Sequence, residues 1–393
     1  MPQYRKDPLT GRWVIVAEER VNRPNQFDIE GDSATDLSLC PFCANNEDQT
    51  PKELDRIDAP GAGNWAARAV PNKYAAVVPN DQFLDYKTFQ SHYGQMLDVD
   101  FPLSRYEDAF DDPIPGIGSH ELIVDTPRHI LCLSEMTDQE MFDMLRMYRK
   151  RLLTLKQTKK HAHALIFKNV GQAAGASIYH SHSQLLAMPF LPPPIQRELQ
   201  RAIGFRREMD ECFWCTHLAN EIESGARIIE ETSRFVSLCP YVSRFPAETE
   251  IYPKKHISHF EETDDDSLWE LARLTRQTVI LLTKGVDWIK GRLAYNMILK
   301  SGPFVYSGPM NMSDISDSAF WLQKIDYSYE KVYHFHLTIL PSLAKAAGFE
   351  WGCGLHINPV APETAAKKLR YIQELSRIAQ EEGAERDPPP SRF

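Results

Sequence analysis

The chain has 393 residues, with 44 Lys and Arg against 54 Asp and Glu, a net charge of −10. That length exceeds one ordinary core and predicts two domains. The negative balance speaks against a nucleic-acid or anionic-membrane binder, while leaving room for an anionic ligand in a locally favourable pocket. The N-terminus MPQYRKDPLTG lacks an apolar signal core, and no apolar run approaches a membrane span. Seven cysteines, four of them in two C-x-x-C pairs, read as metal ligation in a reducing compartment rather than as a disulfide framework. A cytoplasmic location is expected.

In chain order, residues 12–17 (RWVIVA) read as a strand and residues 19–24 (ERVNRP) present Arg20 and Arg23. CPFC follows at Cys40 to Cys43. Residues 65–78 read as a strand interrupted at Pro71-Asn72, and 81–118 as a long loop or insertion. Residues 120–125 (HELIVD) form a strand leading to Pro127 and His129. Thr137 and Glu140 make a capping box before a helix over 141–155. An apolar run, 164–167, enters the stretch NVGQAAGASIYHSHSQ (169–184), and another, 185–188, leaves it. This reads as strand, small-residue turn, strand. Alternation puts His180 and His182 on one side with Gln184 behind them. Gly171, Gly175 and Ser177 bring backbone N–H groups close to whatever those histidines face, which suits a phosphate.

After Pro192-Pro193-Pro194 the plan restarts: CFWC at Cys212 to Cys215, a strand over 248–252 leading to Pro253 and His256, a helix over 268–283 capped near Thr263, a strand over 295–300, and a strand over 332–340 with His334 and His336 two apart. The same features recur in the same order without residue identity, which predicts an ancient duplication. The expected domains are residues 1–192 and 193–375, followed by a charged, proline-rich disordered tail over 376–393.

Each half offers four ligands of the type zinc takes: Cys40, Cys43, His129 and His180, then Cys212, Cys215, His256 and His334. A redox C-x-x-C, or cysteines without a metal, are the plainer readings. His120, His259 and His336 compete as ligands. One histidine of the first pair must stay outside the metal site to do chemistry. A neutral imidazole beside a phosphate turn is a competent nucleophile toward phosphorus, with Ser177, Gln184 and the amides of 175–177 available to the phosphate oxygens. The plainer reading of His182 is a second metal ligand or a core histidine. The second H-x-H has no glycine–serine turn before it and no Gln after it, so it reads as scaffold.

At these residues the sequence resembles the galactose-1-phosphate uridylyltransferases, a branch of the histidine-triad superfamily. The resemblance is carried by RKDPLTGRWVIVA, RVNRP, CPFC, RAVPNKY, HELIVDTPRH, N-x-G-x-x-x-G-A-S-x-x-H-x-H-x-Q, PKKHISHF and GFE, spanning nearly the whole chain. It implies an α+β fold of two histidine-triad-like domains, each an antiparallel sheet with a packed helix. It also implies two zinc ions per chain and a homodimer with shared active sites. His182 becomes the nucleotidylated residue of a ping-pong reaction. Arg20, Arg23, Asn72, Asn169, Gly175, Ala176, Ser177 and Gln184 become nucleotide contacts, and Phe349 and Glu350 a sugar-phosphate segment reaching the partner's site. UDP-glucose and galactose 1-phosphate, in galactose metabolism, are the first expected substrates.

The sequence departs from the family pattern at Ser181, where many members have Pro, at Phe349, and in the second C-x-x-C pair. These features, with INPVAPE at 357–363, are similar to a divergent branch that includes plant ADP-glucose phosphorylase. Adenylyl transfer to phosphate is therefore the alternative. A nucleotide-binding protein without turnover, or a hydrolase of the superfamily, is the third reading. Gln184 speaks for a transferase, because triad hydrolases tend to carry a histidine there.

Overall fold

The computed structural model describes residues 1–6, 13–22, 40–59, 61, 63–79, 87–88, 114–286, 293–304 and 331–382. Strands β1 (Gln3–Lys6), β2 (Trp13–Val16) and β5 (Ile114–Pro115) form a small antiparallel sheet in the order β2-β1-β5. A ten-stranded sheet organises the rest. The first half gives it β3 (Asp55–Asp58), β4 (Trp65–Pro71), β6 (Ser119–Val124), β7 (His163–Val170) and β8 (His182–Met188). The second gives it β9 (Ile228–Glu231), β10 (Phe235–Leu238), β11 (Thr249–Pro253), β12 (Tyr295–Lys300) and β13 (His336–Pro341).

The strand order is β3-β4-β6-β8-β7-β12-β13-β11-β10-β9. Read outward from the β7–β12 seam, the halves run through corresponding strands: β7, β8, β6, β4, β3 on one side and β12, β13, β11, β10, β9 on the other. The two halves thus share one strand plan, the repeated order of features read from the sequence. The α+β, antiparallel character is also as expected, but the two sheets are joined edge to edge. β7 pairs antiparallel with β12 from Leu165↔Lys300 to Val170↔Tyr295, which satisfies the backbone groups that two separate sheets would leave at their edges.

One face of this sheet is covered by α1 (Asp138–Thr158), α4 (Asp265–Val286) and α6 (Pro362–Glu382). In α1 the Thr137 hydroxyl accepts from the Glu140 N–H, and the Glu140 carboxylate reaches back to the Thr137 N–H, so two orphan donors are satisfied. Buried residues at 141, 144, 145, 148, 152 and 155 form its apolar stripe. That stripe, with Leu271 and Leu282 of α4, Leu185 of β8, Leu337 of β13 and Leu369 of α6, makes one core that spans both halves.

The opposite face differs between the halves. Over the second half lie α2 (Pro193–Met209) and α3 (Phe213–Ser224), where Ile195, Leu199, Ile203 and Trp214 pack on Val236, Leu238, Tyr252 and Tyr333. Over the first half, two small clusters occupy that face: Tyr4, Val77, Ile117, Met188 and Phe190 in one, and Cys40, Phe42, Cys43, Trp65 and Val124 in the other.

Several local expectations shift. The strand expected over 332–340 starts only at His336, and the one expected over 65–78 ends at Pro71. The tail expected over 376–393 is helical through Glu382, because α6 continues to pack, with Ile372 against the core and Ser376 hydrogen-bonded to Lys284. Residues 383–393, most of 81–118, and Arg23 lie outside the described residues. Residue 192 falls between β8 and α2, and the shared core crosses it. No helix among the described residues is long and apolar enough to cross a membrane.

Candidate active site and metal centres

The stretch 169–184 runs from the end of β7, through the short 3-10 turn Gln172–Ala174, into β8. Gly171 and Gly175 have φ of 80° and 83°, values that favour glycine. A Cβ on Gly171 would also come within 2.9 Å of the Ala294 Cβ, so the turn closes tightly against the second half. Asn296 of β12 holds the turn from below. Its Nδ2 donates to Asn169 Oδ1 at 2.8 Å and to the Ala174 carbonyl at 2.9 Å. Ser177 is 7% exposed, and its hydroxyl has no hydrogen-bond partner in the structure. A buried orphan hydroxyl of this kind suits an oxygen ligand.

His180 lies just before β8, in a bend, and His182 is the first residue of the strand. Their roles separate through their ring nitrogens. The Nε2 of His180 sits 2.9 Å from the Thr126 carbonyl and therefore donates its proton there. Its Nδ1 lone pair faces Cys40 Sγ at 3.5 Å and Cys43 Sγ at 3.6 Å. Burial, helped by His129, His182 and Lys168, pulls the His180 pKa down to about 3, so the ring is neutral. His182 is held the opposite way round. Its Nδ1 sits 2.7 Å from the His180 carbonyl and donates to it, which puts the lone pair on Nε2. The His182 ring also packs on Phe42, with centroids 5.2 Å apart.

Gln184 shares the β8 face of His182, as the alternation predicted. His120 on β6 accepts from the Ala76 N–H through Nδ1 at 2.9 Å, so its proton is on Nε2 and goes to Gln184 Oε1 at 3.1 Å. Asn72 lies 3.0 Å from the same Nε2. His120, read from sequence only as a competing metal ligand, thus orients the Gln184 amide. Arg20 donates to the Tyr74 carbonyl, two residues from Asn72.

Cys40, Cys43, His129 and His180 form one cluster and Cys212, Cys215, His256 and His334 another, with all ligand atoms of each within 4.8 Å of one another. All four histidines turn Nδ1 to the sulfurs, at 3.2 Å for His129 and 3.3 Å for His256. His334 repeats the His180 device, donating from Nε2 to the Pro253 carbonyl at 2.9 Å. A tetrahedral ion with metal–sulfur bonds of ~2.3 Å and metal–nitrogen bonds of ~2.0 Å needs ligand separations of about 3.3–3.8 Å. The donor sets fit a zinc-like ion. Burial and the adjacent Cys40 push the Cys43 thiol up to about 12, a cost that a bound cation reverses. Cys212 caps α3, the helix-start position typical of redox motifs, yet two imidazoles converge on the pair there. His259 and His336 lie outside both clusters. His259 Nε2 meets the Pro303 carbonyl at 3.1 Å.

His336 occupies in the second half the place of His182 in the first. Its Nδ1 faces the His334 carbonyl at 3.2 Å, a longer contact than its counterpart's. It stacks on Tyr252 at 4.9 Å under the cover of α2, and burial drives its pKa well below the ordinary value. Phe349 and Glu350 lie on the short helix α5 (Gly348–Cys353). Phe349 is 53% exposed, and the Glu350 carboxylate accepts from the Ala347 N–H at 2.9 Å, a contact that lowers its pKa.

Comparison with known proteins decides the family. Residues 1–192 match the model for the N-terminal domain of galactose-1-phosphate uridyl transferase. Over 373 residues the chain is 31% identical to the ADP-glucose phosphorylase of Arabidopsis thaliana, covering 94% of this chain and 93% of that one. The chain belongs to the galactose-1-phosphate uridylyltransferase family. Membership makes it a nucleotidyltransferase. The uridylyltransferase of Thermotoga maritima is 28% identical over 379 residues, 95% of this chain and 99% of that one. Among solved structures, the Arabidopsis ADP-glucose phosphorylase with bound ADP-glucose superposes with a TM-score of 0.65 at 30% identity, covering 94% of this chain and 99% of that one. A uridylyltransferase at 23% identity, with a TM-score of 0.66 over 96% of this chain and 99% of that one, shares the fold.

Proposed function

We propose that this family member transfers a nucleotidyl group from a nucleotide sugar in two steps through His182. The His182 Nε2 attacks the α-phosphorus. A nitrogen–phosphorus bond forms, the bond from that phosphorus to the bridging oxygen breaks, and the hexose 1-phosphate leaves with the bond's electrons. An acceptor phosphate oxygen then attacks the same phosphorus and returns the lone pair to Nε2. The observation that carries this reading is the 2.7 Å contact from His182 Nδ1 to the His180 carbonyl, which commits the ring to the nucleophilic tautomer. The Ser177 hydroxyl and the Gln184 amide would hold the phosphate oxygens, while the Gly175 and Ala176 N–H groups, expected from sequence to do so, donate within the turn to the Gln172 and Gly171 carbonyls at 2.9 and 3.2 Å and shape it. Arg20, Arg23, Asn72 and Asn169 would hold the rest of the nucleotide.

Zinc would be held by the two Cys/His clusters and would tie distant chain segments together rather than enter the reaction. A homodimer would let the exposed Phe349, with the half-buried Glu350 beside it, reach the partner's sugar-phosphate site.

Two donor–acceptor pairs are carried forward: UDP-glucose with galactose 1-phosphate, and ADP-glucose with phosphate. The relative at 31% identity bears the second activity in its name, against 28% for the uridylyltransferase above, and we place ADP-glucose first on that basis. Incubation with each nucleotide sugar, radiolabelled in the α-phosphate, tests the reading. One of them should leave an acid-labile, base-stable adduct that is lost in His182→Ala and kept in His336→Ala. Labelling by neither sugar, or labelling that survives His182→Ala, would overturn it.

A further inference from the structure

Behind His182, on the face of the sheet turned away from its ring, lies a buried polar network that the sequence did not suggest. Lys168 of β7 is 1% exposed, and Asp125, just past β6, is fully buried. The Lys168 ammonium donates to Asp125 Oδ2 at 2.6 Å, to Ser181 Oγ at 2.8 Å and to the backbone carbonyl of His182 at 3.1 Å. Asp125 also accepts from Ser181 Oγ at 3.1 Å and from Ser183 Oγ at 3.0 Å, and its own N–H donates to the Ser181 carbonyl at 3.2 Å. Tyr148 of α1 completes the set by donating to Ser183 Oγ. Every proton of the ammonium is used. One ion pair therefore grips three consecutive residues, 181, 182 and 183, across the site of the proposed nucleophile.

The second half supplies an internal control. Strand registers place Phe167 opposite Gln184 and Ile298 opposite Thr338, so Leu299 stands where Lys168 does. By the same registers, Leu337 stands for Ser183 and Phe335 for Ser181. All three are apolar and at most 1% exposed. The fold accepts hydrocarbon at these positions. The polar network exists only beside the histidine that is not covered by α2. Where it is missing, the ring-to-carbonyl contact lengthens from 2.7 Å for His182 to 3.2 Å for His336. A buried ion pair is poor at adding stability over well-packed hydrocarbon, so its retention in one half calls for another use.

We infer that Lys168 and Asp125 are positioning residues for His182. They fix the backbone of 181–183, so that the imidazole is presented to the phosphorus in one orientation. The inference rests on the reading of His182 as nucleophile. It also accounts for Ser181, whose hydroxyl is a node of the network where a proline would have none.

The test uses the full-length protein and whichever of ADP-glucose or UDP-glucose labels it. Lys168→Leu alone strands a buried carboxylate, so the working variant is Lys168→Leu combined with Asp125→Asn, which is neutral and keeps hydrogen-bonding groups beside both serines. Its affinity for the nucleotide sugar, measured in the His182→Ala background, should stay within about a factor of three, while single-turnover adduct formation slows by about 100-fold. Ser181→Ala, which leaves the ion pair in place, should show the same split at about 10-fold even if the double variant fails to fold. Combined in one chain, the Ser181 and Lys168/Asp125 changes should slow the step by less than the product of their separate effects. Wild-type adduct rates in both variants would overturn the positioning role alone. No adduct in the wild-type protein would overturn the nucleophile, and the positioning role with it.

Discussion

Asn296 makes the sharpest prediction about how the halves cooperate. It belongs to β12, 127 positions beyond Asn169, yet its Nδ2 donates both to that residue's Oδ1 and to the Ala174 carbonyl. Asn296→Ala removes both bonds and releases the 169–184 turn, which we propose holds the nucleotide, from its support. A net hydrogen bond contributes about 0.5–1.5 kcal/mol, and this pair is half-buried, so water replaces part of the loss. The expected cost is about 1–2 kcal/mol, or roughly 5- to 30-fold in nucleotide-sugar affinity. Calorimetric titration of the non-reacting His182→Ala protein, with and without Asn296→Ala, reads it directly. Asn296→Asp keeps the size but loses the donors, and it should weaken binding at least as much. Unchanged affinity in both would refute the reasoning, since the turn would then hold its shape without the second half.

Other outcomes test the scaffold. Arg151 grips Glu121 through two bonds of 2.8 Å with both side chains buried, so Glu121→Gln should destabilise the fold by about 3–5 kcal/mol in urea titrations. Burial lowers the pKa of His161 and His163 to about 4 from an ordinary 6.5. The unfolded chain therefore binds protons that the folded one refuses. Stability should be full above pH 6.5 and fall toward pH 4, by about 2 kcal/mol per histidine at pH 5, with a shallower slope in His163→Gln. Elemental analysis should find about two zinc ions per chain, with Cys43→Ser and Cys212→Ser each losing about one. A strong chelator should lower the melting temperature, and no shift with full zinc loss would contradict a structural role.

Much of the site was readable because its signals are local or compositional. The Thr137–Glu140 cap, the glycines of the 169–184 turn and the alternation of His182 with Gln184 all act over a few residues. The two Cys/His clusters were readable by counting, because few residue types can ligate a zinc-like ion and the repeat offered them twice. What escaped notice depends on pairings between distant strands. Lys168 inside a strand reads as a solvent-facing charge until Asp125, 43 positions earlier, is seen beneath it. The α2–α3 lid over the second half, which explains why His336 is walled in, leaves no periodic mark that distinguishes it from any amphipathic helix. The strand beginning at His336 rather than at residue 332 reflects His334 being drawn out of the ladder toward the cysteines.

The β7–β12 seam has a practical meaning for anyone handling pieces of this protein. Cut between the halves, the first would end on the eight-residue β7 and the second on the six-residue β12, each with a row of unpaired amide and carbonyl groups. Both strands carry apolar side chains along that rim, which invites pairing with any extended chain in solution. Separately expressed halves should therefore aggregate, or find each other and rebuild the sheet when mixed. The join that lets one half steady the 169–184 turn of the other also makes neither of them a safe molecule alone.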